Sequence, residues 1–152
     1  MMNTVPKPIT ILMADDAPGA RLLTAEALKD ARLINELLFV ENGEELMDYL
    51  NANGKFAPPA RAPRPGLILL DLNMPKKDGR TVLKEIKNTP SLCDIPIAVL
   101  TASKDDADVY RSYDLGVNSY IVKPVTFEAI VDTLQTLEKH WFQIVELPSE
   151  EA

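Results

Sequence analysis

Five short apolar segments alternate with segments of helical periodicity, and this alternation constrains the fold more than any other feature of the sequence. The apolar segments are residues 9–14, 37–40, 67–71, 97–102 and 119–122. Within each segment the apolar residues are continuous instead of alternating with polar ones, which is typical of strands that are covered on both faces. The sequence therefore predicts a parallel sheet with helices packed on both sides.

The segments between the strands have the spacing of amphipathic helices. The predicted helices are residues 20–31, 44–50, 80–87, 105–113 and 127–141, the last with an apolar stripe that runs from Phe127 to Trp141 at spacings of three and four. Right-handed crossovers with one reversal of direction predict the strand order 2-1-3-4-5. The expected fold is α/β: a flavodoxin-like (βα)5, doubly wound parallel sheet.

Length and composition predict one domain with a short extension. The 152 residues divide into an expected domain of residues 1–141 and a C-terminal extension of residues 142–152. The net charge is −7, without a dense basic cluster, which argues against binding to nucleic acid. No segment reaches the roughly 18 apolar residues of a membrane span, and the single cysteine, Cys93, excludes an internal disulfide. We expect a cytoplasmic protein that does not contact a membrane.

Polar residues end the predicted strands. Asp15 and Asp16 follow the first strand, and Asp71, Thr101 and Lys123 end the third, fourth and fifth. Because all strands of a parallel sheet end at one edge, and ligands bind where the strand order reverses, we expect these side chains to share one pocket. Each residue also has an ordinary structural explanation; Asp16, for example, could cap the first helix. The prediction of a site depends on their conjunction.

The expected pocket combines carboxylates, a hydroxyl and an ammonium group. Clustered carboxylates repel one another unless a cation lies among them, and hard oxygen ligands suit Mg²⁺. A carboxylate beside such a cation can attack phosphorus and form an aspartyl phosphate. The lysine and the threonine would then stabilise charge on the phosphoryl oxygens.

Four sequence segments resemble the receiver domain of two-component response regulators. They are "MADDAPGARLL" from residue 13, "LILLDLNMPKKDG" from residue 67, "VLTA" from residue 99 and "SYIVKP" from residue 119. The resemblance covers roughly residues 8–138 and keeps the spacing of the key positions. It implies a protein that accepts a phosphoryl group and relays a signal, with no enzymatic chemistry beyond its own phosphorylation and dephosphorylation.

The resemblance also implies a role for each residue of the pocket. Asp71 would be the phosphoacceptor, with Mg²⁺ or Mn²⁺ held by Asp15, Asp16, Asp71 and the backbone carbonyl of Asn73. Asp16 would bind the metal directly, and Asp15 mostly through water. Thr101 would bind the phosphoryl group and act as a switch, Tyr120 would be the switch aromatic, and Lys123 would contact a phosphoryl oxygen.

A sensor histidine kinase is the partner that the resemblance implies, together with a downstream protein that the sequence does not identify. Within this family, the chain most resembles the stand-alone regulators of phytochrome-type histidine kinases. The features that indicate this group are a proline-rich segment, residues 52–65, and the apolar extension. A homodimer is expected in that group, and the residues that could support it are Tyr110, Tyr113, Trp141, Phe142 and Val145. The alternative is an extension that folds back on its own domain. We expect residues 52–65 to be an extended surface loop, either a spacer or a recognition element.

Three other functions are compatible with parts of the sequence. A flavodoxin-like cofactor binder would share the fold, but the carboxylates of "DDAPGA" would repel a flavin phosphate. An aspartate-nucleophile phosphatase would need an acid two residues after Asp71, where the chain has Asn73. A receiver that only acts as a scaffold would lack part of the pocket. His140, the only histidine, is interpreted as a surface residue at the end of a helix.

Overall fold

The computed structural model describes residues 10–30, 36–60, 62–72, 74, 79–107, 117, 119–123, 125–126, 128–129 and 132–133. Five parallel strands form one sheet in the order β2-β1-β3-β4-β5, which confirms the predicted topology. The strands are β1 (Thr10–Ala14), β2 (Glu36–Val40), β3 (Leu67–Asp71), β4 (Ile97–Thr101) and β5 (Ser119–Val122). All five predicted strands are therefore present, within a residue at either end.

Three helices connect the strands: α1 (Pro18–Asp30), α2 (Gly43–Leu50) and α3 (Gly79–Lys87). They confirm the first three predicted helices. Of the other two, residues 104–107, 128–129 and 132–133 are helical, and the remaining positions lie outside the described residues. None of the helices in the described part of the chain is long and apolar enough to cross a membrane.

Burial of the strands follows their position in the sheet. Every residue of the inner strands β3 and β4 is buried, whereas the edge strands β2 and β5 are mostly half-buried. Successive side chains of a strand point to opposite faces, so Leu12 packs into the core on the side of α2 and α3, and Met13 into the core on the side of α1. The continuous apolar sequence thus supplies two separate cores, one on each face.

The start of α2 is capped by its own side chains. The Asn42 side-chain oxygen accepts from the Glu45 backbone N–H at 2.8 Å, and the Glu45 carboxylate accepts from the Glu41 N–H at 3.2 Å. Because the first N–H groups of a helix have no partner within it, these bonds fix where α2 begins.

The proline-rich segment differs from its prediction. It was expected to be extended, but Gly54–Phe56 forms a 3₁₀ turn, and Gly54 has a positive φ of 57°. The Phe56 ring packs edge-on against Tyr49, with 5.1 Å between the centroids. Proline restricts φ without fixing the direction of the chain, and the aromatic contact folds this segment against α2.

Two hydrogen bonds anchor the second half of this segment. The Tyr49 hydroxyl donates to the Pro63 carbonyl at 2.7 Å, and the Arg64 guanidinium donates to the Ser91 carbonyl at 2.6 Å. Gly66 then donates to the Thr10 carbonyl at 2.8 Å, which brings the chain to the start of β3. The segment therefore lies at the amino-terminal edge of the sheet, opposite the edge where the strands end.

The end of β3 passes unusually close to the beginning of α3. The Gly79 N–H donates to the Leu72 carbonyl at 3.1 Å, and a Cβ atom at Gly79 would lie 2.5 Å from the Leu72 Cα and 2.8 Å from the Asp71 carbonyl oxygen. A side chain does not fit there, because the obstructing atoms belong to the backbone. Glycine is thus required for α3 to pack against the residue that ends β3.

We predict that Gly79→Ala lowers the free energy of unfolding by about 1–3 kcal/mol, since the backbone must shift to admit the methyl group. Gly19→Ala is the matched control, because nothing lies within 4 Å of a Cβ at Gly19. It should leave stability unchanged or raise it by up to about 1 kcal/mol, as alanine favours a helix. Urea unfolding of both variants measures this, and equal midpoints would contradict the requirement for glycine at position 79.

Candidate functional site

The register of the parallel strands brings the predicted site residues to one edge of the sheet. Asp71 and Thr101 are the last residues of β3 and β4, Asp15 directly follows β1, and Lys123 directly follows β5. Ala14 pairs with Leu70, so Asp15 and Asp71 occupy equivalent positions on neighbouring strands. Residues that are far apart in the chain are thereby placed side by side, as the sequence predicted.

Three carboxylates form the acidic part of the site. Asp15 and Asp71 are buried, with 0% and 6% of their surface exposed, while Asp16 is exposed. One oxygen from each of the three lies within 4.8 Å of the others. At this separation the negative charges repel strongly in a partly buried environment, so the cluster needs a compensating cation.

The ammonium group of Lys123 supplies positive charge to two of these carboxylates. Its Nζ lies 2.7 Å from Asp15 Oδ2 and 2.9 Å from Asp71 Oδ2. Burial alone would lower the pKa of Lys123, but contacts with the Asp15 and Asp71 carboxylates outweigh burial and raise the pKa above its ordinary value. The lysine is therefore cationic throughout the physiological pH range.

The two oxygens of Asp15 have different surroundings. Its Oδ1 accepts a hydrogen bond from the Ala17 N–H at 2.9 Å, which fixes the carboxylate next to the start of α1. Its Oδ2 is buried and has no partner with hydrogen-bond geometry among the described residues, although the Lys123 ammonium group is close enough for an ion pair. Asp16, which the sequence suggested as a cap of α1, is exposed, and the bond to Asp15 comes from the residue before the start of α1 at Pro18.

The donor set of the cluster suits a divalent cation. Three carboxylates from two adjacent strand ends provide hard oxygen ligands, with one oxygen from each within 4.8 Å of the others. The exposed position of Asp16 leaves one side of the cluster open to solvent. Asn73, predicted to add its backbone carbonyl, lies outside the described residues.

Thr101 and Tyr120 lie on β4 and β5, both on the same side of the acidic cluster. Thr101 is 3% exposed, and its hydroxyl donates to the Ser103 carbonyl at 3.1 Å. Tyr120 is half-buried on β5, where it is paired with Val99 and packs against the core on the side of α2 and α3. Both predicted switch residues thus lie on neighbouring strands, next to the edge that carries the acids.

Two residues of this region were not identified from the sequence. Ser103 contacts the predicted switch threonine, and Gly79 admits the backbone behind Asp71. Gly79 directly precedes the predicted helix of residues 80–87, and this position alone does not reveal the close approach to Leu72. Ser103 has no distinctive sequence signal, because serine two residues after a strand is common in turns.

Comparison with known proteins agrees with this geometry. The family model of the response regulator receiver domain matches residues 11–135. The chain therefore belongs to the response regulator receiver domain family, a class of signalling proteins and not of catalytic enzymes. This assignment does not support the flavodoxin-like cofactor binder or the phosphatase.

Within that family the chain is similar to stand-alone regulators associated with phytochromes. It is 41% identical to the response regulator Rcp1 of Synechocystis over 93% of this chain and 95% of Rcp1. The bacteriophytochrome response regulator RtBRR superposes with a TM-score of 0.82 at 38% identity, over 93% of this chain and 85% of that chain. The phosphorylated cyanobacterial phytochrome response regulator RcpA superposes with a TM-score of 0.73 at 38% identity, over 91% and 99%.

A solved structure of Rcp1 contains Mn²⁺. It superposes on this chain with a TM-score of 0.70, at 41% identity, over 93% of this chain and all of Rcp1. The metal belongs to that relative; in the described part of this chain, Asp15, Asp16 and Asp71 are a group of carboxylates that could hold a metal ion.

We predict that Lys123→Met destabilises the protein by about 1–3 kcal/mol in the presence of a chelator, since it leaves buried carboxylates without a cation; partial exposure of the lysine limits the loss. Added Mg²⁺ or Mn²⁺ should then raise the melting temperature of the variant more than that of the wild type, because the ammonium no longer competes for the carboxylates.

Lys55→Met is the control for this measurement. Lys55 forms an ion pair of 3.1 Å with Glu45, but 69% of its side chain is exposed. Its loss should cost less than about 1 kcal/mol and leave the metal response unchanged. Equal metal responses of Lys123→Met and the wild type would contradict competition between the lysine and the cation.

Proposed function

We propose that this protein accepts a phosphoryl group on Asp71 from the phosphohistidine of a sensor histidine kinase, and that phosphorylation changes its contacts with a downstream protein. The observation that carries this proposal is the convergence of three carboxylates, with Lys123 2.9 Å from the Asp71 carboxylate. Membership of the receiver family and similarity to a phosphorylated relative support it.

The proposed reaction is a displacement at phosphorus. A carboxylate oxygen of Asp71 attacks the phosphorus atom, the bond between phosphorus and the histidine nitrogen breaks, and that nitrogen leaves with the electron pair and takes up a proton. The end of a rigid, fully buried strand holds the nucleophile in position, which is the main requirement of phosphoryl transfer. Beyond its own phosphorylation and dephosphorylation, we propose no catalytic activity.

Lys123 stabilises the transferred group in this proposal. Its ammonium group already contacts Asp71 Oδ2, so a short movement allows it to pair with a phosphoryl oxygen. The Thr101 hydroxyl can donate to a second oxygen, since Thr101 ends the strand next to β3. Both residues would stabilise the negative charge of the phosphoryl oxygens, which is present at Asp71 only after the transfer.

A divalent cation is expected to complete the site. Asp15, Asp16 and Asp71 would hold Mg²⁺ or Mn²⁺, with the Asn73 carbonyl as a further ligand predicted by resemblance. The cation would neutralise charge on the phosphoryl oxygens as the bond to phosphorus forms. The approach of one oxygen from each of the three carboxylates to within 4.8 Å of the others supports this assignment.

The output of the switch is proposed to run through Thr101 and Tyr120. When the Thr101 hydroxyl moves toward the phosphoryl group, the space behind it becomes available to the Tyr120 ring on the neighbouring strand. Inward rotation of Tyr120 would change the surface near β5, where Val122 is 40% exposed. A downstream protein would recognise that changed surface.

The cognate kinase is proposed to be of the phytochrome type, and the cytoplasm is proposed as the location. Similarity to Rcp1, RtBRR and RcpA over more than nine-tenths of this chain supports the choice of kinase. The domain is taken to span residues 1–141, followed by the extension of residues 142–152.

We predict that incubation with a phosphorylated histidine kinase and Mg²⁺ labels the wild type and not Asp71→Asn, because an amide cannot attack phosphorus in this way. Asp94→Asn is the matched control, since Asp94 is exposed and precedes β4 at the opposite edge of the sheet. It should be labelled like the wild type. Equal labelling of Asp71→Asn would refute the assignment of the phosphoacceptor.

We also propose a homodimer, supported by the similarity to stand-alone phytochrome regulators and by the apolar residues of the extension. The residues expected to contribute, Tyr110, Tyr113, Trp141, Phe142 and Val145, lie outside the described part of the chain. Sedimentation velocity over a concentration series should show a monomer that converts to a dimer. A monomer at all concentrations would favour an extension that folds back on its own domain.

A further inference from the structure

The hydroxyl of Thr101 is occupied in this structure. It donates to the carbonyl of Ser103 at 3.1 Å, and the Thr101 carbonyl accepts from the Lys123 N–H at 2.8 Å. The side chain and the backbone of the residue are therefore both held, the first by the loop that follows β4 and the second by the residue that follows β5.

Ser103 also defines the start of the next helix. Residues 104–107 are helical, and the Ser103 carbonyl accepts from the Ala107 N–H at 3.1 Å. The Ser103 hydroxyl oxygen accepts from the Asp106 N–H at 3.1 Å, which is the contact of a serine cap. One residue thus caps the helix with its side chain and shares its carbonyl between the helix and Thr101.

The bond from the Thr101 hydroxyl to the Ser103 carbonyl cannot coexist with a bond from the same hydroxyl to a phosphoryl group on Asp71. A threonine hydroxyl has a single proton to donate, and the oxygens of a phosphoryl group at neutral pH act mainly as acceptors. For Thr101 to bond a phosphoryl oxygen, its proton must leave the Ser103 carbonyl. Because the hydroxyl has one proton, the bond to the phosphoryl oxygen must replace the bond to the Ser103 carbonyl, however far the Thr101 side chain moves.

We infer that Ser103 is a positioning residue that couples the Thr101 hydroxyl to the start of the helix at residue 104, so that occupation of Asp71 by a phosphoryl group releases the Ser103 carbonyl and loosens the cap. This inference rests on the proposed function. Before phosphorylation, the bond from the Thr101 hydroxyl to the Ser103 carbonyl and the cap of the helix together hold Ser103 in the position seen in this structure. Weakening the cap therefore favours the phosphorylated arrangement.

The first test needs no phosphoryl group. Thr101→Val removes the hydroxyl at nearly constant volume, so that among the described residues the Ala107 N–H remains as the donor to the Ser103 carbonyl. Amide hydrogen exchange at Asp106 and Ala107 should then become faster, while the amides of α3 exchange as in the wild type. Unchanged exchange at Asp106 and Ala107 would overturn the coupling, whatever the outcome of phosphorylation experiments.

The second test measures the affinity for beryllium fluoride with Mg²⁺, a stable analogue of the phosphoryl group. Ser103→Ala should bind it about fivefold more tightly than the wild type. The reason is that binding loosens the cap of the wild type, which costs free energy, whereas the variant has no serine cap to lose. Ser103→Thr keeps a capping hydroxyl and should bind like the wild type. In the Thr101→Val background, Ser103→Ala should give no further gain.

Asn42→Ala is the matched control for loss of a cap. Asn42 caps α2 by a bond of 2.8 Å to the Glu45 N–H, so its loss should lower stability to a similar degree without changing the affinity for beryllium fluoride. Equal affinities of Ser103→Ala and the wild type, or equal gains in both Thr101 backgrounds, would overturn the inference while leaving the proposed function intact. Absence of binding to the wild type would overturn the proposed function and the inference with it.

Discussion

The contact of one ammonium group with two buried carboxylates is the interaction on which the rest of the site depends. Asp15 and Asp71 lie on neighbouring strands with little exposure to water, where two carboxylate charges repel each other unless a cation lies between them. Lys123 supplies that charge from the other side of β4, so β1, β3 and β5 must keep their relative positions. The electrostatic requirement of the site is thus also a requirement on the order of the strands.

Burial of apolar side chains in the two hydrophobic cores offsets the free-energy cost of placing charged groups at this edge of the sheet. Each fully buried leucine or isoleucine contributes roughly 1.5–3 kcal/mol relative to an exposed one, and β3 contains four of them in succession while β4 contains two. The acids occupy only the last positions of these strands, where the apolar packing ends and solvent begins. A cluster of charge therefore lies at the end of rigid elements and does not interrupt either core.

The sequence predicts the regular elements well because they depend on periodicity, and the common direction of parallel strands explains why Asp15, Asp16, Asp71 and Lys123 lie together at one edge. The residues Asp15, Asp16, Asp71, Thr101 and Lys123 follow from their positions at strand ends. The bridge made by Lys123, the contact of Thr101 with Ser103 and the close approach at Gly79 depend on rotamers and loop paths that no pattern encodes. The turn at Gly54–Phe56 was missed for a similar reason, since it is set by a positive φ and by an aromatic contact between distant residues.

The proline-rich segment has a consequence for how such a domain can diversify. Its hydrogen bonds connect it to Tyr49 of α2 and to Ser91 in the loop before β4. Both bonds lie at the edge of the sheet opposite the acids, and Pro58, Pro59 and Ala60 are exposed. Substitutions in that exposed middle can alter the outer surface without disturbing the charged edge. Related domains can therefore differ in the residues exposed there while the residues of the acidic site stay the same, provided that the hydrogen bonds made by Tyr49 and Arg64 are retained.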